Sequence, residues 1–280
     1  MADNDIQLPD AGGVTWSLCI RDGSGMPLAE VDADASLRTA SVGKVLLLVE
    51  TARAIVAGEL SPDEQLTRSV EEWVGDSGLW HTLSVETLPL VDVAALVGAV
   101  SDNLATNVLL ARVGLAEVAA RATALGLRAT ALHDRVRDDR SAEHAATLST
   151  GSAAELSALA HRISAGTATG PGSDLLVRQW LSANVDQSMV GLPLVDQAGI
   201  DPLAHHDSLH PEPALWNKTG TDAGVRADVG AVTIAGLTVS WAAIANWEPA
   251  VGTSLEHLTV WAVLRGMRLV GDHVLRLLTA

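Results

Sequence analysis

Strand-like alternation marks both ends of this chain, and helical periodicity fills the long stretch between them. Near the start, Val14, Trp16, Leu18 and Ile20 alternate with smaller or polar residues, the pattern of a half-buried strand. DGSG then turns the chain into a second strand, MPLAEVDADA, which makes a hairpin. From Ser41 to about Gly170 the apolar residues recur at helical spacing, in VDVAALVGAV, ATNVLLARV, AEVAARATALG and SAAELSALAHRIS. A further helix, LLVRQWLSANV, leads into a loop rich in His, Asp and Pro. Strand patterns return in ALWNKTGT, VRADVGAVTIAG and LTVSWAAIANW, and the last segment, SLEHLTVWAVLRGMRLVGDHVLRLL, is helical. The expected fold class is therefore α+β: an antiparallel sheet assembled from both chain ends, flanked by helices, with an all-helical subdomain inserted. The sheet part takes residues 1–36 and 205–280 and the helical part 37–204, joined in one unit spanning 1–280. No internal repeat or low-complexity linker interrupts it.

With 280 residues, 48% of them apolar, the chain can bury a sizeable core. Its formal charge of −16 argues against a nucleic-acid partner, which requires clustered Lys and Arg, and against an anionic membrane surface. The opening MADNDIQLPDAGG is acid-rich and lacks the apolar region of a secretory leader, and no apolar stretch reaches bilayer-spanning length. The expected compartment is the cytoplasm, or outside the cell if a leader has been removed. Cys19, the single cysteine, cannot form an internal disulfide and reads as a small core residue. Phe and Tyr are both absent, so no tyrosine can act as base or donor in any site.

One helical run opens unusually. RTASVGKVLLLVETARAIVAG places Ser41 and Lys44 three residues apart at its start. Ser41 reads as an N-cap with Lys44 a solvated first-turn residue, although a cation is disfavoured at a helix N-terminus. The other reading is nucleophilic: residues i and i+3 share a helix face, so the Lys44 amine can act as base to the Ser41 hydroxyl. Two further motifs bear on the choice. VSDNLATN sets Ser101, Asp102 and Asn103 in a loop between helical patterns, and WNKTGTDAGVR sets Lys218, Thr219, Gly220 and Thr221 on a late strand. Alone, the first is a common N-cap and the second a common turn. S-x-x-K opening a helix, then S-D-N in a loop, then K-T-G on a strand, in that order, is hard to explain without chemistry.

Together these motifs resemble the serine β-lactamase and penicillin-binding-protein family, most closely its class A-like branch, from the first hairpin to the terminal helix. The flanking SDNLATNVLL and KTGTDAGVRADVG are similar to that branch as well. The resemblance implies that Ser41 attacks a carbonyl and forms an acyl-enzyme. It makes Lys44 the proton acceptor, its pKa lowered by burial and by Lys218. The backbone N–H groups of Ser41 and Thr221 would form an oxyanion hole, and Ser101 would relay a proton to the departing nitrogen. Asn103 would hold the substrate's amide side chain, while Lys218, Thr219, Gly220 and Thr221 would gather a substrate carboxylate. Arg226 either joins that carboxylate site or is a solvated strand-end arginine. Asp102 and Asp228 read as structural, and Trp80 as either a cleft wall or core. No metal or organic cofactor is implied, and the partner is a small-molecule β-lactam or related amide or ester.

In one place the chain departs from the class A pattern. That branch carries a Glu in an E-x-x-L-N loop, where it activates the deacylating water. Here GLRATALHDRVRDDRSAEHAATLSTG places Val136 or Arg137 at that position, and no L-N follows. Asp134, Asp138, Asp139 and Glu143 are the acids that could substitute, although acids in such a loop are commonly solvated or paired with arginines. A second candidate constellation, His205, His206, Asp207 and His210, has metal-ligand types but lacks a helical i,i+4 histidine pair. The leading expectation is β-lactamase-like hydrolysis. One rival is a penicillin-binding acyl-enzyme former or esterase with slow deacylation, and another is a binding module that kept the fold and lost the chemistry.

Overall fold

The computed structural model describes residues 6–201, 212 and 214–279. In chain order its elements begin with β1 (Thr15–Arg21), β2 (Pro27–Val31) and β3 (Leu37–Arg38), followed by α1 (Lys44–Val56). Next come β4 (Gln65–Thr67), β5 (Thr87–Pro89), α2 (Leu90–Val100), α3 (Asn103–Val113) and α4 (Leu115–Ala124). The middle of the chain continues with β6 (Ala131–Leu132), β7 (Ser149–Gly151), α5 (Ala153–Ala165), α6 (Pro171–Ser182) and α7 (Gly191–Ala198). It closes with β8 (Ala214–Asp222), β9 (Val225–Ile234), β10 (Leu237–Asn246) and α8 (Ser254–Thr279).

The main sheet has the order β2-β1-β10-β9-β8, antiparallel throughout, so the two chain ends meet where β1 pairs with β10. Asp22 closes the first hairpin: its Oδ1 accepts from the backbone N–H of Ser24 and of Met26, at 2.8 and 2.9 Å. The period-2 alternation then sorts side chains into two cores. Trp16, Leu18, Ile20, Trp241, Ala243 and Ala245 face α7 and α8, while Cys19, Ala242 and Ile244 face the helical block. In that block α1 is buried on nearly every side, from Lys44 through Ala52, as expected of a helix apolar all round.

Although α5 lies within the stretch assigned to the helical part, it packs on the sheet, against β1, β9 and β10. Two small sheets, β3-β7-β6 and β4-β5, staple the helical block. Of the two edge strands of the main sheet, β2 and β8, β8 abuts a 3₁₀ turn, Ala40–Gly43, that immediately precedes α1. Among the described residues no helix is long and apolar enough to cross a membrane.

Candidate active site

Ser41 sits in the Ala40–Gly43 turn, not at a helix cap. The first residue of α1 is Lys44, its N-cap is Gly43, and no side chain caps it. Ala40 is held at φ +48°, in the left-handed region that non-glycine residues rarely adopt. Buried partners hold it there: Ser149 Oγ donates to the Ala40 carbonyl at 2.6 Å and lies 2.7 Å from Thr39 Oγ1. A strained turn fixed by its surroundings is common where a side chain must be aimed. Ser149 was not singled out from the sequence, since it lies 109 residues from Ala40 and nothing local marks it.

Lys44 is fully buried, and its Nζ donates to Ser101 O at 2.7 Å, Asn103 Oδ1 at 2.7 Å and Ser101 Oγ at 3.2 Å. Ser101 is itself at φ +55°, the left-handed residue that ends α2. Its Oγ also accepts from the equally buried Lys218 Nζ, at 2.9 Å, and Lys218 donates in addition to Thr219 O at 2.8 Å. One hydroxyl thus bridges two buried amines. Burial pushes the Lys44 ammonium well below the ordinary lysine value, and the nearby Lys218 cation pushes it the same way. Burial also brings Lys218 down, to about 8, against the opposing pull of Asp186 and Asp228. Ser41 Oγ makes no hydrogen bond to a described residue, so the Lys44 amine lies in the same site but engages Ser101 and Asn103, not Ser41.

The S-D-N loop is held by its middle residue. Asp102 caps α3 through Ala105 N at 2.9 Å, and its other oxygen accepts from Leu79 N and Trp80 N at 2.7 and 2.8 Å. Trp80 is fully buried in the helical core, which places it in packing and not on the cleft wall. Asn103 bridges Lys44 to Gly75 O, to which its amide donates at 3.1 Å. Gly220 explains why β8 carries a glycine next to the nucleophile turn. A Cβ there would lie 2.2 Å from Thr39 O and 3.2 Å from Ser41 N, so only glycine lets the strand approach Ser41.

A cleft of about 580 Å³ opens over this array, lined by Ser41, Ser101, Asn103, Thr219 and Thr221, with Val136 and Asp186 among its walls. Asn107 brackets Val136, accepting from its N at 2.9 Å and donating to its O at 3.0 Å. Val136 and Arg137, the two residues that the sequence sets at the class A glutamate position, both line the cleft, and neither is a carboxylate. Of the four loop acids, Asp134 is bound by Arg137 at 2.7 Å and Arg140 at 2.8 Å. Burial opposes its ionisation, but these guanidinium bonds prevail and bring its carboxyl down to about 2, too acidic for a base near neutrality. Asp138 lines the cleft and accepts from Gly75 N at 3.0 Å, whereas Asp139 and Glu143 are exposed and do not line it.

Arg226 stands apart from the cleft. Its guanidinium donates to Asp222 O and Val225 O and lies 5.7 Å from the Trp247 ring centroid. Asp228, on β9 opposite Thr219, is buried, accepting from Val190 N at 3.0 Å and Trp241 Nε1 at 3.1 Å, and burial raises its carboxyl to about 7. Among the described residues no cluster of His, Cys, Asp or Glu is placed to hold a metal ion. His205, His206, Asp207 and His210 lie outside the described residues.

An antiparallel sheet joined from both chain ends, a helical block, and a cleft in which Ser41 stands with a Ser101 hydroxyl held between two buried lysines define the serine β-lactamase and penicillin-binding class of protein. The chain belongs to the Beta-lactamase enzyme family, whose family model matches residues 3–246. The fold is similar to that of a β-lactamase from Sphaerobacter thermophilus, with TM-score 0.77 and 22% identity over 95% of this chain and 93% of that one. It is similar also to PBP-A, with TM-score 0.73 and 22% identity over 94% and 91% of the two chains. A β-lactamase from Xanthomonas campestris gives TM-score 0.73 and 18% identity, over 96% of this chain and 93% of that one. No match is found among curated proteins.

Proposed function

We propose that this protein is a serine hydrolase that opens a β-lactam, or a related amide or ester, through an acyl-enzyme on Ser41. The observation that supports it most is the Ser101 hydroxyl set between two buried amines, at 3.2 Å from Lys44 and 2.9 Å from Lys218. Neutral Lys44 accepts the Ser41 proton as Oγ bonds to the substrate carbonyl carbon. Ser101 then passes a proton from Lys44 to the substrate nitrogen as the C–N bond breaks, and the charged Lys218 holds the Ser101 oxygen. In the acyl-enzyme neither Val136 nor Arg137 offers water a carboxylate, and Asp138 is engaged by Gly75 N, which favours slow deacylation over rapid turnover.

The test is an intact-mass time course with a penicillin and with a neutral activated ester, using Ser41→Ala as the control. A Ser41-dependent adduct that persists for minutes or longer is the expected result, and absence of any Ser41-dependent adduct would sink the reading. Val136→Glu is expected to shorten the adduct lifetime by about 10²-fold by supplying the missing base, the lower end of what such groups contribute.

The pH profile of acylation follows from the two amines. The rate should rise as Lys44 loses its proton, well below the ordinary lysine value of 10.5, and fall as Lys218 deprotonates near 8. Lys218→Arg, whose guanidinium does not deprotonate, should remove the alkaline limb while leaving the acid limb in place. An alkaline limb unchanged in that variant would show that another group produces it.

A further inference from the structure

The walls of the cleft carry an anion that the serine chemistry does not use. Asp186 lines the cleft in the segment between α6 and α7. Its Oδ2 accepts the Thr219 hydroxyl at 2.7 Å, and its Oδ1 accepts from Ser188 N at 3.1 Å and Ser188 Oγ at 2.7 Å. Burial opposes its ionisation, but these hydrogen bonds outweigh it and hold the carboxyl below its usual value. A threonine hydroxyl has one hydrogen, so Thr219 already donates to a carboxylate belonging to the protein itself.

The cations nearby are committed too. Arg137 and Arg140 line the cleft but both bind Asp134, at 2.7 and 2.8 Å. Lys218 donates to Ser101 Oγ and Thr219 O and keeps its charge, but Asp186 already offsets the pull that this charge would exert on a substrate anion. Arg226 lies outside the cleft, against Trp247. Asp76, Asp138 and Asp222 add further acid to the lining.

We propose that Asp186 determines substrate charge: its carboxylate occupies the β8 end of the cleft, so the enzyme favours acyl substrates with an uncharged or cationic group there and rejects anionic ones. The proposal rests on the acyl-enzyme reading above and departs from the carboxylate-bearing substrate that the family resemblance implies. A substrate carboxylate brought to Thr219 would meet a fixed like charge and a hydroxyl whose proton is turned away from it, whereas an ammonium or a neutral amide would not.

Three forms of one lactam test this: benzylpenicillin, its methyl ester and its 2-aminoethyl amide, which share the acyl group and differ only in charge at the former carboxylate. Rates of Ser41 acylation are read by intact mass. In the wild type the ester and the amide should react about tenfold faster than the acid, in line with one like-charge contact partly offset by Lys218. Asp186→Asn should raise the rate for the acid relative to that for the ester by about tenfold, a ratio in which any effect on the site shared by both substrates cancels; Asp186→Ser serves as the second variant. The wild-type order needs no variant to fold. If the acid reacts fastest in the wild type, or Asp186→Asn fails to raise its rate relative to the ester's, the assignment is overturned while the acyl-enzyme reading stands. If none of the three labels Ser41, both fall together.

Discussion

A Lys44→Met variant is expected to lose covalent acylation by about 10³-fold, within the range that positioned general bases contribute, and to remain folded. Lys44 is fully buried, with its amine held by Ser101 O, Ser101 Oγ and Asn103 Oδ1. Methionine keeps the length and volume of the stem, so the core around α1 stays filled. Two acceptors, Ser101 O and Asn103 Oδ1, lose their donor, at a cost of about 1–3 kcal/mol each. Against this, the variant no longer buries an ionisable amine beside Lys218, and replacing buried charge by a well-packed apolar group is often neutral or stabilising. The net change in stability should therefore be small beside the loss of rate. Intact-mass labelling measures the rate, and a melting curve measures the fold. Undiminished labelling by a folded Lys44→Met protein would remove Lys44 from the mechanism, and a binding module without chemistry would show no labelling in either protein.

The parts of this molecule that were legible in the sequence are those whose signal is local. Alternation in TWSLCIR separates Cys19 from Leu18 and Ile20, and the structure puts them on opposite faces of β1. Ser41 and Lys44, Ser101 and Asn103, and Lys218 to Thr221 each lie within a few residues of one another, so each motif could be read before its neighbours in space were known. What was not legible depends on contacts between distant segments. Nothing near Ser149 indicates that its hydroxyl holds Ala40 in the left-handed region. Nothing in ANVDQS indicates that Asp186 reaches the Thr219 hydroxyl across 33 residues of separation. Arg226 illustrates the limit differently: it pairs in register with Thr221, as its place in the hairpin suggests. Its long side chain nevertheless turns to Trp247, a choice that strand periodicity does not determine. The Ala- and Leu-rich pattern of α5 likewise gives a helix without saying that it covers the sheet.

Gly220→Ala should lower acylation by about 10²-fold or more, the loss seen when one oxyanion donor is removed, although the substitution adds a single methyl group. The reason is distance. The new Cβ would meet Thr39 O at 2.2 Å, Val42 N at 3.1 Å and Ser41 N at 3.2 Å, and Thr39 O is backbone that cannot rotate away. Either β8 or the Ala40–Gly43 turn must move. If, as the family resemblance implies, the N–H groups of Ser41 and Thr221 form the oxyanion hole, they must converge on one oxygen across that gap, so separating them removes a donor from the developing charge. Some stability is lost as well, about 1–3 kcal/mol for forced overpacking. A control separates the two effects. Gly271→Ala forces a similar clash at the contact between α8 and α7, with its Cβ 2.3 Å from Val190 O, and Gly271 does not line the cleft. That variant should lose comparable stability and keep its acylation rate within about twofold where it is folded. Equal losses of rate in the two variants would mean that general destabilisation accounts for the effect and that the close approach of β8 to Ser41 has no special part in the chemistry. A loss confined to Gly220→Ala, largely in kcat and little in KM, would mean that this glycine is kept because no side chain fits between strand and nucleophile while both N–H groups still reach the same atom.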